Sequence, residues 1–400
     1  MSSWGILFSL FAAIVMATEC PPLEKMGKAW IPENQPANRH QGYADVPSVL
    51  PEMPGFIAPG SVFKRHGIVF EPNADFQAAF NPAAFVAVDP VDKKPTVYMV
   101  IRGEKEMNDA KWKRLSRPYL AKSKDGLKFE MVSPDPLFRE GEWYDKVGGV
   151  EDARYADLRL QPYVDPKDGR SFDGALMYTA YDGKTARVAA AIFNHDNLTE
   201  FRKIGTLFPD ADVLKNPLLG DSAWNKSPAM LQVKDPNTGK VRNILYVGEG
   251  NAKHGGIMAM EADRPFGWKW PRSKKPVITT RKGKYDQNLV ESAFQPVIAP
   301  LPPALAAKTG EAEGIYLALH GDSPPKGYQV GFRIFSLKNP TGKPLYASDG
   351  PFLSPQEKWE IEGQVGKVVF ASASVEFNKR RFIYYGAADR VIGAISAPSR

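Results

Sequence analysis

One strand-like pattern recurs five times along the chain, about every 70 residues, and a unit repeated at that period must bury its open faces against its neighbours. Each copy is an apolar or aromatic strand that ends in a polar or glycine-rich turn: Tyr98 to Gly103, Leu176 to Asp182, Ile244 to Gly250, Ile315 to Asp322 and Phe382 to Asp389. A second strand of small and apolar residues follows each one, at Tyr119 to Ser123, Val188 to Ile192, Gly256 to Met260, Tyr328 to Phe332 and Val391 to Ile395. After the first two copies, Asp125 to Phe129 and Asp196 to Phe201 add a turn and an aromatic residue that can seal one sheet against the next. A single β-sandwich would also contain many short strands, but not copies at one spacing. The pattern predicts an all-β fold, a five-bladed β-propeller.

The repeats occupy residues 61–400, which read as one domain; the hydrophobic content of 43% and charged content of 24% are those of an ordinary globular protein. Residues 20–60 hold Pro21, Pro22, Pro32, Pro36, Pro47, Pro51, Pro54 and Pro59 without sustained periodicity, and predict an extended proline-rich N-terminal arm. Residues 1–19 contain an apolar run, Ile6 to Ala17, too short to cross a bilayer and suited to the core of a signal peptide. A secreted or periplasmic protein with no stable membrane span after signal removal is expected. Cys20 is the single cysteine, so no intrachain disulfide can form, and it reads as a free thiol in the arm. The net charge of +7 is spread over short groups such as Lys111 to Arg114, Lys274-Lys275 and Lys379 to Arg381, which read as solvated loops rather than a nucleic-acid stripe.

In a propeller, equivalent positions of different blades converge on the axis. The ends of the repeated strands supply Arg102, Asp182, Glu249, His320 and Asp389, and a second ring starts the preceding strands at Asn81-Pro82, Glu151-Asp152, Lys226-Ser227, Glu291-Ser292 and Lys367. Some have plain structural readings: Asp182 before Gly183 suits a turn, Asp389-Arg390 suits a local pair, and His320 suits a satisfied core position. Glu249, set between two glycines, has no local packing role. The five histidines are isolated and one cysteine cannot build a thiolate site, so no metal or other cofactor is expected. What remains is carboxylate chemistry. Glu151-Asp152-Ala153-Arg154, followed by the aromatic strand through Tyr178 and Tyr181 to Asp182, is suited to holding and protonating a sugar, and glycoside cleavage needs an acid plus a nucleophile or base. The expected partner is an oligosaccharide.

These residues resemble glycoside hydrolase family 130, the β-mannoside phosphorylases and mannosidases, over about Phe80 to Ser396. The anchors are Asn81-Pro82, Tyr98 to Arg102, Gly149 to Arg154, Tyr178 to Gly183 with Arg187, Lys226 to Ala229, His320-Gly321, Tyr328 with Gly331, and Tyr384 to Asp389. The resemblance implies a five-bladed propeller in which Asp152 is the acid, acting through a sugar hydroxyl, while Asn81, Arg102 and Asp389 hold the mannose. It also implies that Lys226, His320, Tyr328 and Arg187 surround an attacking inorganic phosphate where phosphorolysis operates. Two departures bear on the reaction. Ala153 replaces the family's proline, and Gly248 replaces an arginine that phosphorylases carry, with Glu249 following it. Loss of a bidentate clamp and gain of a carboxylate disfavour bound phosphate, so hydrolysis with Asp152 as acid and Glu249 as base is the expectation. Phosphorolysis, with phosphate as co-substrate, and a non-catalytic carbohydrate-binding propeller are the alternatives.

Overall fold

The computed structural model describes residues 53–106, 114–208, 224–235, 238–249, 256–270 and 275–400; the signal-like segment, Cys20 and most of the arm lie outside the described residues. Strand β1 (Lys64–Phe70) is followed by five antiparallel units in chain order, the first two joined into one sheet by a parallel pairing of Ser116 with Gly149. The first holds β2 (Ala78–Val88), β3 (Pro95–Glu106), β4 (Arg114–Ser123) and β5 (Glu130–Met131). The second begins with β6 (Gly149–Asp157) and, after a small ladder of β7 (Tyr163–Val164) with β8 (Ser171–Phe172), continues through β9 (Gly174–Tyr181), β10 (Ala186–Asn194) and β11 (Asn197–Thr206). The third is β12 (Asn225–Lys234), β13 (Val241–Glu249), β14 (Gly256–Ala262) and β15 (Ile278–Thr279).

The fourth unit splits its first strand into β16 (Leu289–Ser292) and β17 (Val297–Pro300), both paired with β18 (Glu313–Ser323). Helix α1 (Pro303–Thr309) lies between β17 and β18, and β19 (Gly327–Ser336) and β20 (Tyr346–Ala347) complete the sheet. In the fifth, α2 (Lys358–Ile361) precedes β21 (Val369–Phe377), β22 (Arg380–Ala387) and β23 (Val391–Pro398), and β1 returns as its outer strand by pairing with β23. The strands that repeat in sequence are β3, β9, β13, β18 and β22, the second of each unit.

Strand alternation explains how the core is shared. In β3, Val97, Met99 and Ile101 pack against the fifth unit, whereas Tyr98 and Val100 pack against the second. In β9, Leu176, Tyr178 and Ala180 face the first unit while Ala175 and Met177 face the third. Sheets apolar on both faces read as nearly continuous apolar runs, which is why the repeated strands stood out in the sequence. Five buried clusters result, each between two neighbouring units, and the one joining Met99 and Ile101 to Val375 and Tyr384 unites the last unit with the first. The core is therefore a closed cycle.

The end of the proline-rich segment belongs to this body. Phe56 lies edge-on to Phe294 and Tyr316, at 6.3 and 6.1 Å, and Ile57 bridges Ser399, so both residues are buried. Among the described residues no helix is long and apolar enough to cross a membrane.

Candidate active site

The first strands of the units meet one another, and they break register at equivalent places. The register shifts in β2 between Phe80 and Ala83, in β6 between Glu151 and Arg154, in β12 between Lys226 and Ala229, and in β21 between Ala371 and Ala373. In the first three, the residue inside the bulge has left-handed backbone: Asn81 at φ 45°, Asp152 at 49° and Ser227 at 52°. Asn and Asp tolerate that conformation because their short polar side chains bond locally, and a bulge re-aims the side chain it carries. Asn81-Pro82, Asp152-Ala153 and Ser227-Pro228 are thus three versions of one device, and Ala153 stands where the other two have proline.

The bulges are tied across unit boundaries. Asn81 donates its amide to Asp152 Oδ1 at 2.8 Å, Ser227 donates to Glu291 Oε2 at 2.9 Å, and Ser372 donates to the Pro82 carbonyl at 2.7 Å. Gly386 permits the first of these, since a Cβ there would stand 2.0 Å from Asn81 Oδ1.

Arg102 organises the acidic part of the cluster. Its Nη1 donates to Asp152 Oδ1 at 2.7 Å and its Nε to Ser116 at 2.9 Å, while Nη2 lies 3.3 Å from Glu151 and 3.6 Å from Glu104; its guanidinium also lies over the Phe80 ring. Burial pushes the Asp152 carboxyl up, but Arg102, Arg154 and the Asn81 amide outweigh it and hold the group below its usual range. Glu151 behaves oppositely. Burial, reinforced by Asp152 and Glu104 and opposed by Arg102, raises it to about 7. Asp389, at φ 51°, is likewise raised to about 7, by burial first and then by the neighbouring carboxylates against the pull of Arg102. Near neutrality the cluster thus carries an ionised Asp152 together with two carboxyls, Glu151 and Asp389, raised to about 7.

Arg154 is only 1% exposed and links three units. Its Nε donates to the Ala293 carbonyl, Nη1 donates to the Asp152 carbonyl at 2.9 Å, and the guanidinium lies over Phe370. Burial lowers it to about 10, against the attraction of Asp152 and Glu291. His320 stacks on the same Phe370 ring at 3.8 Å, and its Nε2 donates to the Ala371 carbonyl at 2.9 Å. Burial and nearby Arg154 depress its basicity well below the ordinary value, so the ring is neutral with Nδ1 as acceptor.

On the side of the third and fourth units, Lys226 Nζ lies 2.5 Å from Glu291 Oε1, and Glu291 is 2% exposed. A Cβ on Gly248 would lie 3.9 Å from Glu291 Cγ and 3.2 Å from the Lys226 carbonyl, so this glycine faces the pair. Tyr328 joins the same group: burial first, and then Glu291, Asp322, Asp389 and Asp152, raise its phenol well above the ordinary value.

The structure therefore brings together Asn81, Arg102, Glu151, Asp152, Arg154, Lys226, His320, Tyr328 and Asp389. Three further expected residues, all in the second unit, contact one another or nearby aromatic rings. Asp182 accepts from the backbone of Lys184 and Thr185 at 2.8 and 2.7 Å and pairs with Arg187 at 2.5 Å, so it closes a turn, and Arg187 lies over the Trp143 ring. Tyr181 packs edge-on to Trp224 at 5.9 Å and fills the space beside Gly148. Glu249 ends β13 opposite Asn225 and Gly256, and its side chain lies outside the described residues. Ser227 and Glu291 were visible in sequence only as polar starts of first strands, with no chemistry attached. Their signal was the small or turn-prone residue that breaks strand alternation at matching positions.

Comparison with known proteins identifies the class. The family model described as β-1,4-mannooligosaccharide phosphorylase matches residues 57–400, and the chain belongs to this family, glycoside hydrolase family 130. Among curated relatives, a β-1,2-mannobiose phosphorylase from Thermoanaerobacter is 40% identical over 81 residues, 20% of this chain and 26% of that protein. A 1,2-β-oligomannan phosphorylase from the same source is 29% identical over 107 residues, 25% of this chain and 36% of that protein. The matched segments thus span only about a quarter to a third of these relatives.

The fold is shared with solved structures. One belongs to the GH130 mannoside phosphorylase family, described as containing glycoside hydrolases that target β-1,2-mannosidic linkages in Candida mannan; it has a TM-score of 0.66 and 21% identity, covering 88% of this chain and 98% of that one. A glycosyl hydrolase from Bacteroides ovatus has a TM-score of 0.61 and 23% identity over 83% and 88% of the two chains. The β-1,2-mannobiose phosphorylase of Listeria innocua, in complex with β-1,2-mannobiose, has a TM-score of 0.54 and 17% identity over 88% and 92%.

Proposed function

We propose that this chain is a five-bladed β-propeller glycosidase that cleaves β-mannosidic bonds by hydrolysis, with the site at the bulged first strands. The closed cycle of five core clusters supports the propeller. Asn81, Arg102 and Asp389 hold the non-reducing mannose. Asp152, ionised in the free site, first takes a proton from Glu151 or Asp389, which keep theirs to about pH 7. It then gives that proton to a sugar hydroxyl whose own proton goes to the glycosidic oxygen, leaving the donor, Glu151 or Asp389, as a carboxylate.

The observation that carries hydrolysis is the Lys226–Glu291 pair at 2.5 Å beside Gly248. A phosphate dianion brought to Lys226 would meet a buried carboxylate, with no arginine at position 248 to offset the repulsion. The same carboxylate can accept a proton from water, so Glu291 joins Glu249 as a candidate base. Export, read from Ile6 to Ala17, agrees with hydrolysis, because phosphorolysis outside the membrane would strand a charged sugar phosphate.

Phosphorolysis remains the second reading because three curated relatives carry phosphorylase names. Incubation with β-mannobiose, with and without inorganic phosphate, separates the readings. Free mannose at a phosphate-independent rate is expected. Mannose 1-phosphate formed only when phosphate is supplied would replace hydrolysis by phosphorolysis at Lys226, His320 and Tyr328. Saturable binding without turnover would leave a carbohydrate-binding propeller.

A further inference from the structure

A cavity of about 330 Å³ lies beside the fourth unit, with Lys284, Gln287, Ser323, Lys326, Gln329 and Gly350 in its wall. It is connected to the candidate site through one hairpin. Along β18 and β19, His320 pairs with Val330, Asp322 with Tyr328, and Ser323 with Gly327. The root of the hairpin thus contributes His320 and Tyr328 to the central cluster, while its tip borders the cavity. Asp322, buried and bonded by Asn288 Nδ2 at 3.1 Å, stands between the two.

The wall is polar without a concentrated charge. Gln329 donates to Ser323 Oγ at 2.9 Å and accepts from Ser354 at 3.1 Å, and Lys284 pairs with Asp349 at 3.0 Å. Gln287 Oε1 accepts from the Gly283 amide at 3.3 Å, while its NH2 group makes no hydrogen bond among the described residues. Side-chain amides, a hydroxyl and one further ammonium, flanked by Pro324 and Pro351, suit a neutral polyhydroxyl ligand better than a dianion or an apolar molecule.

We propose that this cavity is a distal sugar subsite, so that the enzyme prefers chains of several sugar units over a disaccharide. The proposal rests on the glycosidase reading above. Gly350 provides the test, because it lines the cavity and a Cβ there meets no atom within 4 Å, so a tryptophan can be placed at the wall without a clash at its root.

Rates are measured on a β-linked mannobiose and the matching mannotetraose, for the wild type and for Gly350→Trp. The expected kcat/KM for the tetraose exceeds that for the biose by roughly tenfold, the worth of one or two well-made hydrogen bonds, and Gly350→Trp removes that advantage while leaving the biose unchanged. Lys326→Ala and Gln287→Ala each lose part of it. Equal wild-type kcat/KM for the two substrates, or a length preference that survives Gly350→Trp, overturns the proposal. Failure to cleave either substrate would count against the glycosidase reading instead. Calorimetry with the tetraose would then decide the subsite: weaker binding to Gly350→Trp supports it, and equal affinity overturns it.

Discussion

Replacing Glu151 by glutamine should stabilise the protein above neutral pH and change little in acid. The carboxyl is raised from 4.5 to about 7 in the fold, by burial and by Asp152 and Glu104 against the pull of Arg102. Between those values the native state holds a proton that the unfolded chain has released. The stability linked to this group is fully present below about pH 4.5 and is lost as pH rises toward 7. A shift of this size corresponds to about 3 kcal/mol, reduced to about 2 because Asp389 titrates with the same cluster. Glutamine mimics the neutral carboxyl, so at pH 5 the two proteins should unfold alike, and at pH 8 the variant should be the more stable by about 2 kcal/mol. Equilibrium urea unfolding at pH 5, 6, 7 and 8 measures this difference. Parallel stability curves across that range, or a variant less stable at pH 8, would refute the burial argument.

Four further outcomes are expected. Asp152→Asn should lower kcat about 10²- to 10⁴-fold and also lower the melting temperature at neutral pH, because the charge favoured by Arg102 and Asn81 is lost; mannose release and calorimetry read the two effects. Arg154→Ala should destabilise the fold by about 3–5 kcal/mol in urea unfolding, since it strips a fully enclosed cation from Asp152, Ala293 and Phe370, and Arg154→Lys should not restore it. Gly386→Ala forces a methyl against Asn81 Oδ1 and should reduce kcat/KM more than Gly393→Ala, whose Cβ meets Tyr385 and Trp359 away from the bulges. Gly248→Arg should make turnover sensitive to phosphate, detectable as mannose 1-phosphate beside mannose.

The repeat was legible because sheets covered on both faces leave apolar runs, and β3, β9, β13, β18 and β22 are such runs. What periodicity could not rank was the two polar rings. The sequence drew attention to the ends of the second strands, whereas the first strands, interrupted at Asn81, Asp152 and Ser227, carry the bulges that aim side chains inward. Asp182 shows the limit of phase alone: it keeps the repeat's register yet is satisfied in a turn by Arg187 and the backbone of Thr185. Glu291 shows the converse, a carboxylate whose importance depends on Lys226, Ser227 and Gly248 from another unit. No spacing rule relates residues that meet only when the core closes.

The pairing of β1 with β23 sets the order in which the molecule can be completed during synthesis. β1 leaves the ribosome before any of the five units, but the strand it pairs with is the last of the described strands to emerge. Lys64 to Phe70 must wait through the making of more than three hundred residues, and Gly67, together with the register shifts on either side of it, interrupts this segment's use as a regular edge for a wrong strand in the meantime. The finished site depends on that delay ending well, because Asn81 and Asp389 come to one place only once the last unit has docked on the first.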